Sequence, residues 1–135
     1  MIVVHHLNDS RSQRILWLLE ELKLPYEIKS YQRDATTRLA PPELKAVHPL
    51  GKSPVVTEGA ATVIESGAII DYVLRHHGAG DLAPAANTPE YDTYQQWLHY
   101  AEGSAMLPLM LFMYVGRLGE AGAPLHPRIE SEIAN

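Results

Sequence analysis

Two serines lie where an anion could be stabilised. Ser10 ends the turn after the first predicted strand and opens the first predicted helix, and Ser12 lies two residues further on. A hydroxyl donor at a helix N-terminus favours an anion such as a thiolate. The alternative for Ser10 is a plain helix cap, with Gln13 completing a capping box.

Glu65 and Ser66 place a charged acceptor next to the donors of a helix N-terminus. The Glu65 carboxylate can pair with an ammonium group. The Ser66 hydroxyl and the backbone N–H groups that follow it can hold a carboxylate, with help from the helix dipole. On residue types alone, capping is the commoner role for such a serine. The two roles are compatible, so the pair can both start a helix and bind a ligand that carries both charges.

Composition excludes several other kinds of chemistry. The 135 residues include no cysteine, so disulfides, thiolate metal sites and cysteine nucleophiles are excluded, and any thiol must arrive with a ligand. Among the 7 histidines, His5 and His6 should point to opposite faces of one strand. Because no spacing places two histidines on one face with a carboxylate, we expect no metal site.

Charge and hydropathy point to a folded protein without a nucleic-acid or membrane partner. The hydrophobic fraction is 46%, the charged fraction 20% and the formal net charge -5. Nucleic acids and anionic membranes need a cationic face. No apolar run reaches the ~20 residues of a membrane span, and the first five residues do not resemble a signal peptide. We therefore expect a cytoplasmic protein.

Hydrophobic periodicity predicts an α/β arrangement for the first part of the chain. A strand at 2–7, a helix near 11–23 and a strand at 26–31 form a unit whose strands should pair in parallel. A short helix at 41–47 precedes a hairpin of strands at 55–57 and 61–64. Glu65-Ser66 opens a third helix, whose stop signal is Gly78 and Gly80. The order predicts a mixed four-stranded sheet with helices on both faces.

The second part of the chain reads as the start of an all-α domain. We place the first domain at 1–79, a linker at 80–88 and the helical part at 89–135, with Thr88 as cap and Pro89 as the first residue of a long helix. This helix becomes apolar all round from Met106 to Val115 and should kink at Pro108. Another helix is expected from Pro127 onward.

This order of elements, together with several local motifs, resembles the glutathione S-transferase superfamily, and in particular its bacterial and fungal serine-type members. The resemblance covers essentially the whole chain, and the fold it implies is a thioredoxin-like N-terminal domain. Each motif is weak alone, but their order and spacing match. The motifs are 10–21, 41–45, His48-Pro49-Leu50-Gly51-Lys52-Ser53-Pro54, Glu65-Ser66 and Tyr100-Ala101-Glu102-Gly103-Ser104.

The resemblance implies a site and a reaction. Ser10 matches the serine that stabilises the glutathione thiolate, and Ser12 is the second choice. Glutathione would be the co-substrate, without a metal, and a small apolar electrophile would accept it in a detoxification reaction. The implied glutathione-binding residues are Lys52, Ser53, Pro54, Glu65 and Ser66, with a cis bond before Pro54; Lys52 is alternatively a solvated lysine.

Two rival functions remain open, and so does the state of assembly. A glutathione-dependent peroxidase fits the same residues, and so does a non-catalytic binding or assembly module of the same family. In the family the region of Tyr100, Glu102 and Ser104 meets a partner subunit and borders the site, although Glu102 alone reads as a solvated residue. We expect a homodimer, an incomplete helical domain, and poor conjugation by these 135 residues alone.

Overall fold

The computed structural model describes residues 1–134 and divides the chain into two compact units. The first unit is Met1–Pro84 and the second begins at Ala85. The division falls within the proposed linker of 80–88.

A four-stranded mixed sheet forms the centre of the first unit. Its strands are β1 (Ile2–Leu7), β2 (Tyr26–Tyr31), β3 (Val55–Glu58) and β4 (Ala61–Ile64), in the order β2-β1-β3-β4. β1 pairs in parallel with β2 and antiparallel with β3, which forms a hairpin with β4. The predicted parallel pair and hairpin are both confirmed.

Three helices cover the two faces of this sheet: α1 (Ser12–Glu21), α2 (Glu43–Val47) and α3 (Ser66–His77). Successive residues of β1 point to opposite faces. Val4 packs with Ile15 of α1 and Ile69 of α3, while Leu7 packs with Leu44 of α2. Helices therefore lie on both faces, as predicted, and the fold is the thioredoxin-like one that the resemblance implies.

The start of α1 differs from the prediction. Its N-cap is Arg11, and no side-chain cap forms within the described chain. The Ser10 hydroxyl instead accepts the Ser12 N–H at 3.3 Å and contacts two other serine hydroxyls. The predicted capping box of Ser10 with Gln13 is wrong, because contacts with Ser12 and Ser53 occupy the hydroxyl that would have formed it.

The second unit is helical. Thr88 caps α4 (Pro89–Tyr100) by accepting the Tyr91 N–H at 3.2 Å, as predicted. A π-helical turn, Ala101–Ala105, joins α4 to α5 (Met106–Gly116), and a 3₁₀ segment, Gly119–Leu125, leads to α6 (His126–Ala134). No helix among residues 1–134 is long and apolar enough to span a bilayer.

The irregularity of the long helix lies just before Pro108. Proline donates no N–H, and its ring crowds the carbonyl four residues earlier, which here belongs to Ser104 in the π-helical turn. α5 packs on the 3₁₀ segment and on α6. At Gly122 the backbones approach so closely that an added Cβ would lie 2.5 Å from the Val115 carbonyl oxygen.

Candidate functional site

An open pocket in the first unit collects residues from three separate parts of the chain. They come from the β1–α1 turn, from the loop between α2 and β3, and from the β4–α3 junction. All five residues predicted to bind glutathione line this pocket. The lining residues are Arg11, His48, Leu50, Lys52, Ser53, Pro54, Ile64, Glu65 and Ser66.

The loop before β3 is held in a fixed shape. Gly51 donates its N–H to the His48 carbonyl at 2.8 Å and has a φ of 58°, which favours glycine. The Ser53–Pro54 peptide bond is cis, as the resemblance implies. Ser53 Oγ donates to the His5 carbonyl oxygen at 2.8 Å, and this bond ties the loop to the end of β1.

The junction of β4 and α3 carries an unusual backbone and an unpaired hydroxyl. Glu65 has φ 68° and ψ 126°, a conformation that is costly for a residue with a Cβ. Ser66 is 3% exposed, and its buried Oγ has no hydrogen-bond partner within residues 1–134. Buried hydroxyls nearly always have a partner, so this one marks a place where a ligand group is expected.

The α3 N-terminus itself is open to an anion. No side chain caps this helix in the part of the chain that the structure describes. The first N–H groups of a helix have no partner within it, and the helix dipole adds a partial positive charge there. Ser66 is the first residue of α3, so its hydroxyl and these N–H groups lie together at the pocket.

Three serine hydroxyls form a cluster beside the pocket. Ser12 Oγ lies 2.8 Å from Ser10 Oγ and 2.8 Å from His6 Nδ1. Ser10 Oγ lies 3.5 Å from Ser53 Oγ, and Ser53 lines the pocket. Ser12 is fully buried at 0% exposure, whereas Ser10 is partly exposed. Neither Ser10 nor Ser12 is among the nine residues that line the pocket; Ser10 is the more exposed of the two and lies next to the lining residue Ser53.

The neighbouring histidines serve different faces of the sheet, as predicted. His6 bonds to α1, while His5 bonds through Nδ1 to the Tyr31 hydroxyl at 2.9 Å and through Nε2 to Thr57 Oγ1 at 3.1 Å. Burial, and then the charge of Lys29, hold the pKa of His5 below its usual range. His5 is therefore a neutral structural residue beneath the loop that contains Ser53.

Four pocket residues were not foreseen as ligand contacts: Arg11, His48, Leu50 and Ile64. Arg11 brings a second cation besides Lys52, and its position between Ser10 and Ser12 was the available signal. Residues 1–134 contain no group of three or more histidine, aspartate or glutamate side chains that could hold a metal ion. Tyr100 ends α4, and Glu102 and Ser104 lie in the π-helical turn, all in the second unit.

Sequence comparison identifies the family of the first unit. Residues 1–75 match the model for the glutathione S-transferase N-terminal domain. Glutathione S-transferase 3 of Schizosaccharomyces pombe is 46% identical over 106 residues, which cover 78% of this chain and 43% of that protein. Glutathione S-transferase 1 of Saccharomyces cerevisiae is 41% identical over 130 residues, covering 92% of this chain and 55% of that protein. The chain thus spans about half the length of these curated relatives.

Solved structures agree with this result. A glutathione S-transferase of Actinobacillus pleuropneumoniae superposes with a TM-score of 0.83 at 37% identity, over 99% of this chain and 61% of that one. A glutathione transferase homologue from Sulfitobacter, solved with bound glutathione, gives a TM-score of 0.77 at 21% identity, over 99% of this chain and 65% of that one. The match to the family model, the yeast relatives and the shared fold together show that the chain belongs to the glutathione S-transferase superfamily.

Proposed function

We propose that this protein is a glutathione transferase that binds glutathione in the pocket and stabilises its thiolate for attack on a small electrophile. The observation that carries the proposal is the buried, unpaired Ser66 hydroxyl at the uncapped N-terminus of α3, next to Glu65. A γ-glutamyl group presents an ammonium and a carboxylate close together, which this pair of residues matches.

The charges of the pocket suit the rest of the tripeptide. Glu65 pairs with the γ-glutamyl ammonium, while Ser66 and the first N–H groups of α3 hold the neighbouring carboxylate. Lys52 attracts the glycine carboxylate, and Arg11 adds a second positive charge to the same pocket. Two cations and one carboxylate complement a ligand with two carboxylates and one ammonium.

The cysteinyl part of glutathione binds to the loop before β3. The backbone N–H and C=O of Ser53, which lines the pocket, pair with the ligand as an added strand would. The hydrogen bond from Ser53 Oγ to the His5 carbonyl keeps this segment in place. The thiol of the ligand then lies near the β1–α1 turn, which contains Ser10.

Catalysis consists of favouring the thiolate and holding it next to the electrophile. A free thiol has a pKa of about 8.5, so most of it is protonated at neutral pH. A hydrogen bond from the Ser10 hydroxyl stabilises the anion and lowers that pKa. The thiol proton passes to solvent, and the sulfur forms a bond to an electrophilic carbon, from which the leaving group departs with its electron pair. Proximity supplies the rest of the acceleration.

The proposal includes the setting in which the protein acts. The electrophile is small and apolar, the working form is a homodimer, and the compartment is the cytoplasm, where glutathione keeps thiols reduced. Detoxification of such electrophiles is the role that fits this chemistry.

The thiol pKa of bound glutathione tests the proposal directly. Thiolate absorbance in the ultraviolet, followed against pH, should show a lower pKa in the wild-type complex than in free glutathione. Ser10→Ala should raise the bound pKa while affinity, measured by calorimetry, stays nearly unchanged. Ser30→Ala, at an exposed position of β2, is the matched control. If Ser12→Ala alone raises the pKa, the role belongs to Ser12; binding without any thiolate formation or turnover would indicate a non-catalytic module.

A further inference from the structure

The Ser10 hydroxyl is the pocket end of a hydrogen-bonded chain that starts on β1. His6 Nδ1 lies 2.8 Å from Ser12 Oγ, and Ser12 Oγ lies 2.8 Å from Ser10 Oγ. Ser12 is at 0% exposure, so water does not replace either of its partners. The direction in which Ser12 donates therefore depends on what His6 offers it.

Counting hydrogens limits the hydrogen bonds between His6, Ser12 and Ser10 to two arrangements. Each serine hydroxyl has one hydrogen to donate, and Ser53 gives its hydrogen to the His5 carbonyl. If His6 Nδ1 carries no hydrogen, the Ser12 hydroxyl donates to His6. The Ser10 hydroxyl must then donate to Ser12 Oγ, because otherwise no hydroxyl donates to that buried oxygen. If His6 Nδ1 carries a hydrogen, His6 donates to Ser12 and Ser12 donates to Ser10.

Only the second arrangement leaves Ser10 ready for a thiolate. Its oxygen then accepts from the Ser12 hydroxyl and from the Ser12 N–H at 3.3 Å. Its own hydrogen is directed away from Ser12, where the other acceptor is Ser53 Oγ at 3.5 Å, a long contact that a thiolate would replace. Hydrogen bonds that run in one direction polarise each other and strengthen the last donor. In the first arrangement, a ligand would have to compete with buried Ser12 for the Ser10 hydrogen, at the cost of an unsatisfied group.

We propose that His6 is a positioning residue: its Nδ1–H, acting through Ser12, directs the Ser10 hydroxyl hydrogen to the bound thiolate. This inference rests on the proposed role of Ser10. His6 itself touches neither ligand nor electrophile, because Ser12 and Ser10 stand between it and the pocket. Substituting His6 should therefore change the pKa of the bound thiol and leave the affinity for glutathione nearly unchanged.

Two substitutions separate the direction of donation from simple packing. In His6→Asn the side-chain amide can donate where Nδ1 does, whereas in His6→Asp an ionised carboxylate can only accept. We expect H6D to raise the pKa of the bound thiol by about one unit or more, the worth of a hydrogen bond to a charged group. H6N should keep the pKa close to wild type. Affinity for glutathione should change little in both variants, and His76→Asp, at an exposed end of α3, is the control for added charge.

The outcomes distinguish the inference from the function on which it rests. If Ser10→Ala leaves the bound pKa unchanged, the proposed role of Ser10 fails and this inference fails with it. If Ser10→Ala raises the pKa but H6D does not, or if H6N and H6D raise it equally, only the inference about His6 is overturned.

The wild-type protein offers a second measurement that does not depend on a variant folding. Nitrogen-15 NMR of the histidine ring in the glutathione complex shows which ring nitrogen carries hydrogen. We expect a hydrogen on Nδ1 of His6. A neutral ring with a bare Nδ1 would overturn the proposal even if H6D does not fold.

Discussion

Glu65 combines a charged side chain with a backbone conformation that few residues adopt. Its φ of 68° costs about 1–3 kcal/mol for a residue other than glycine. Glycine would remove this cost but would also remove the carboxylate that lines the pocket. Strain at a position where a particular side chain faces a pocket is typical of a binding site, and it supports the pairing of Glu65 with a ligand ammonium.

Replacing Glu65 by Gln tests this pairing. The amide keeps the shape of the side chain but removes its charge, so glutathione binding should weaken by about 1–3 kcal/mol, the range for a hydrogen bond to a charged group. Calorimetry measures the affinity. Glu27→Gln, at an exposed position of β2, makes the same chemical change away from the pocket. Equal affinities of wild type and Glu65→Gln would remove Glu65 from the site.

Among the secondary-structure elements, α3 is anchored at the end opposite its binding site. Glu58 at the end of β3 accepts from Tyr72 at 3.0 Å and from His77 Nε2 at 2.8 Å. The N-terminal ammonium group lies 3.8 Å from the same carboxylate. The hydrogen bond from His77, then that from Tyr72, hold the pKa of Glu58 below its ordinary value despite partial burial. These contacts fix the C-terminal half of α3 on the sheet, so its N-terminus is presented rigidly to the pocket.

This anchor predicts a pH-dependent contribution to stability. Because the folded pKa of Glu58 lies below the ordinary value of 4.5, the contribution is present above that value and is lost as pH falls through the folded pKa. Urea denaturation should show Glu58→Gln less stable than wild type by about 1 kcal/mol at pH 7, with the difference shrinking at acidic pH. Glu27→Gln is again the control. A deficit of equal size at both pH values would show that the carboxylate charge is not responsible.

Local sequence patterns predicted most of these helices and strands. The features that they did not predict depend on contacts formed in the folded protein. The β-branched residues of β1, the alternation in β2 and the glycine after α3 are local signals, and they predicted the strands and the helix end correctly. The Ser10 capping box failed because the hydroxyl contacts Ser12, two residues further on, and Ser53, which lies 43 residues away along the chain. The unpaired hydroxyl of Ser66 was equally hidden, since burial and pairing depend on the folded neighbours.

In the molecule as a whole, α5 exposes more apolar surface than soluble proteins usually tolerate without a partner. Leu107, Leu109, Phe112 and Tyr114 are 54%, 48%, 48% and 52% exposed. This surface supports the proposed homodimer, because a second copy of the chain would bury it in a symmetric interface.

Light scattering at micromolar concentration checks this prediction. The wild-type chain should have the mass of a dimer, and Phe112→Glu should shift it to a monomer because a charge would have to be buried in the interface. Leu39→Glu, at a position that is 67% exposed in a loop, is the matched control. A wild-type chain that stays monomeric would contradict the proposal.

The π-helical turn at Ala101–Ala105 has a consequence for evolution and engineering. Such a turn holds one more residue than regular helix needs, so it acts as a single-residue insertion that rotates everything after it by about 100° about the helix axis. α5 is apolar all round, so its own sequence does not select which side packs on α6. The extra residue in the π-helical turn therefore determines which side of α5 faces α6. Deleting Gly103 would keep every apolar side chain of α5 yet turn a different set of them toward α6, and the helix would then be correctly composed but wrongly rotated.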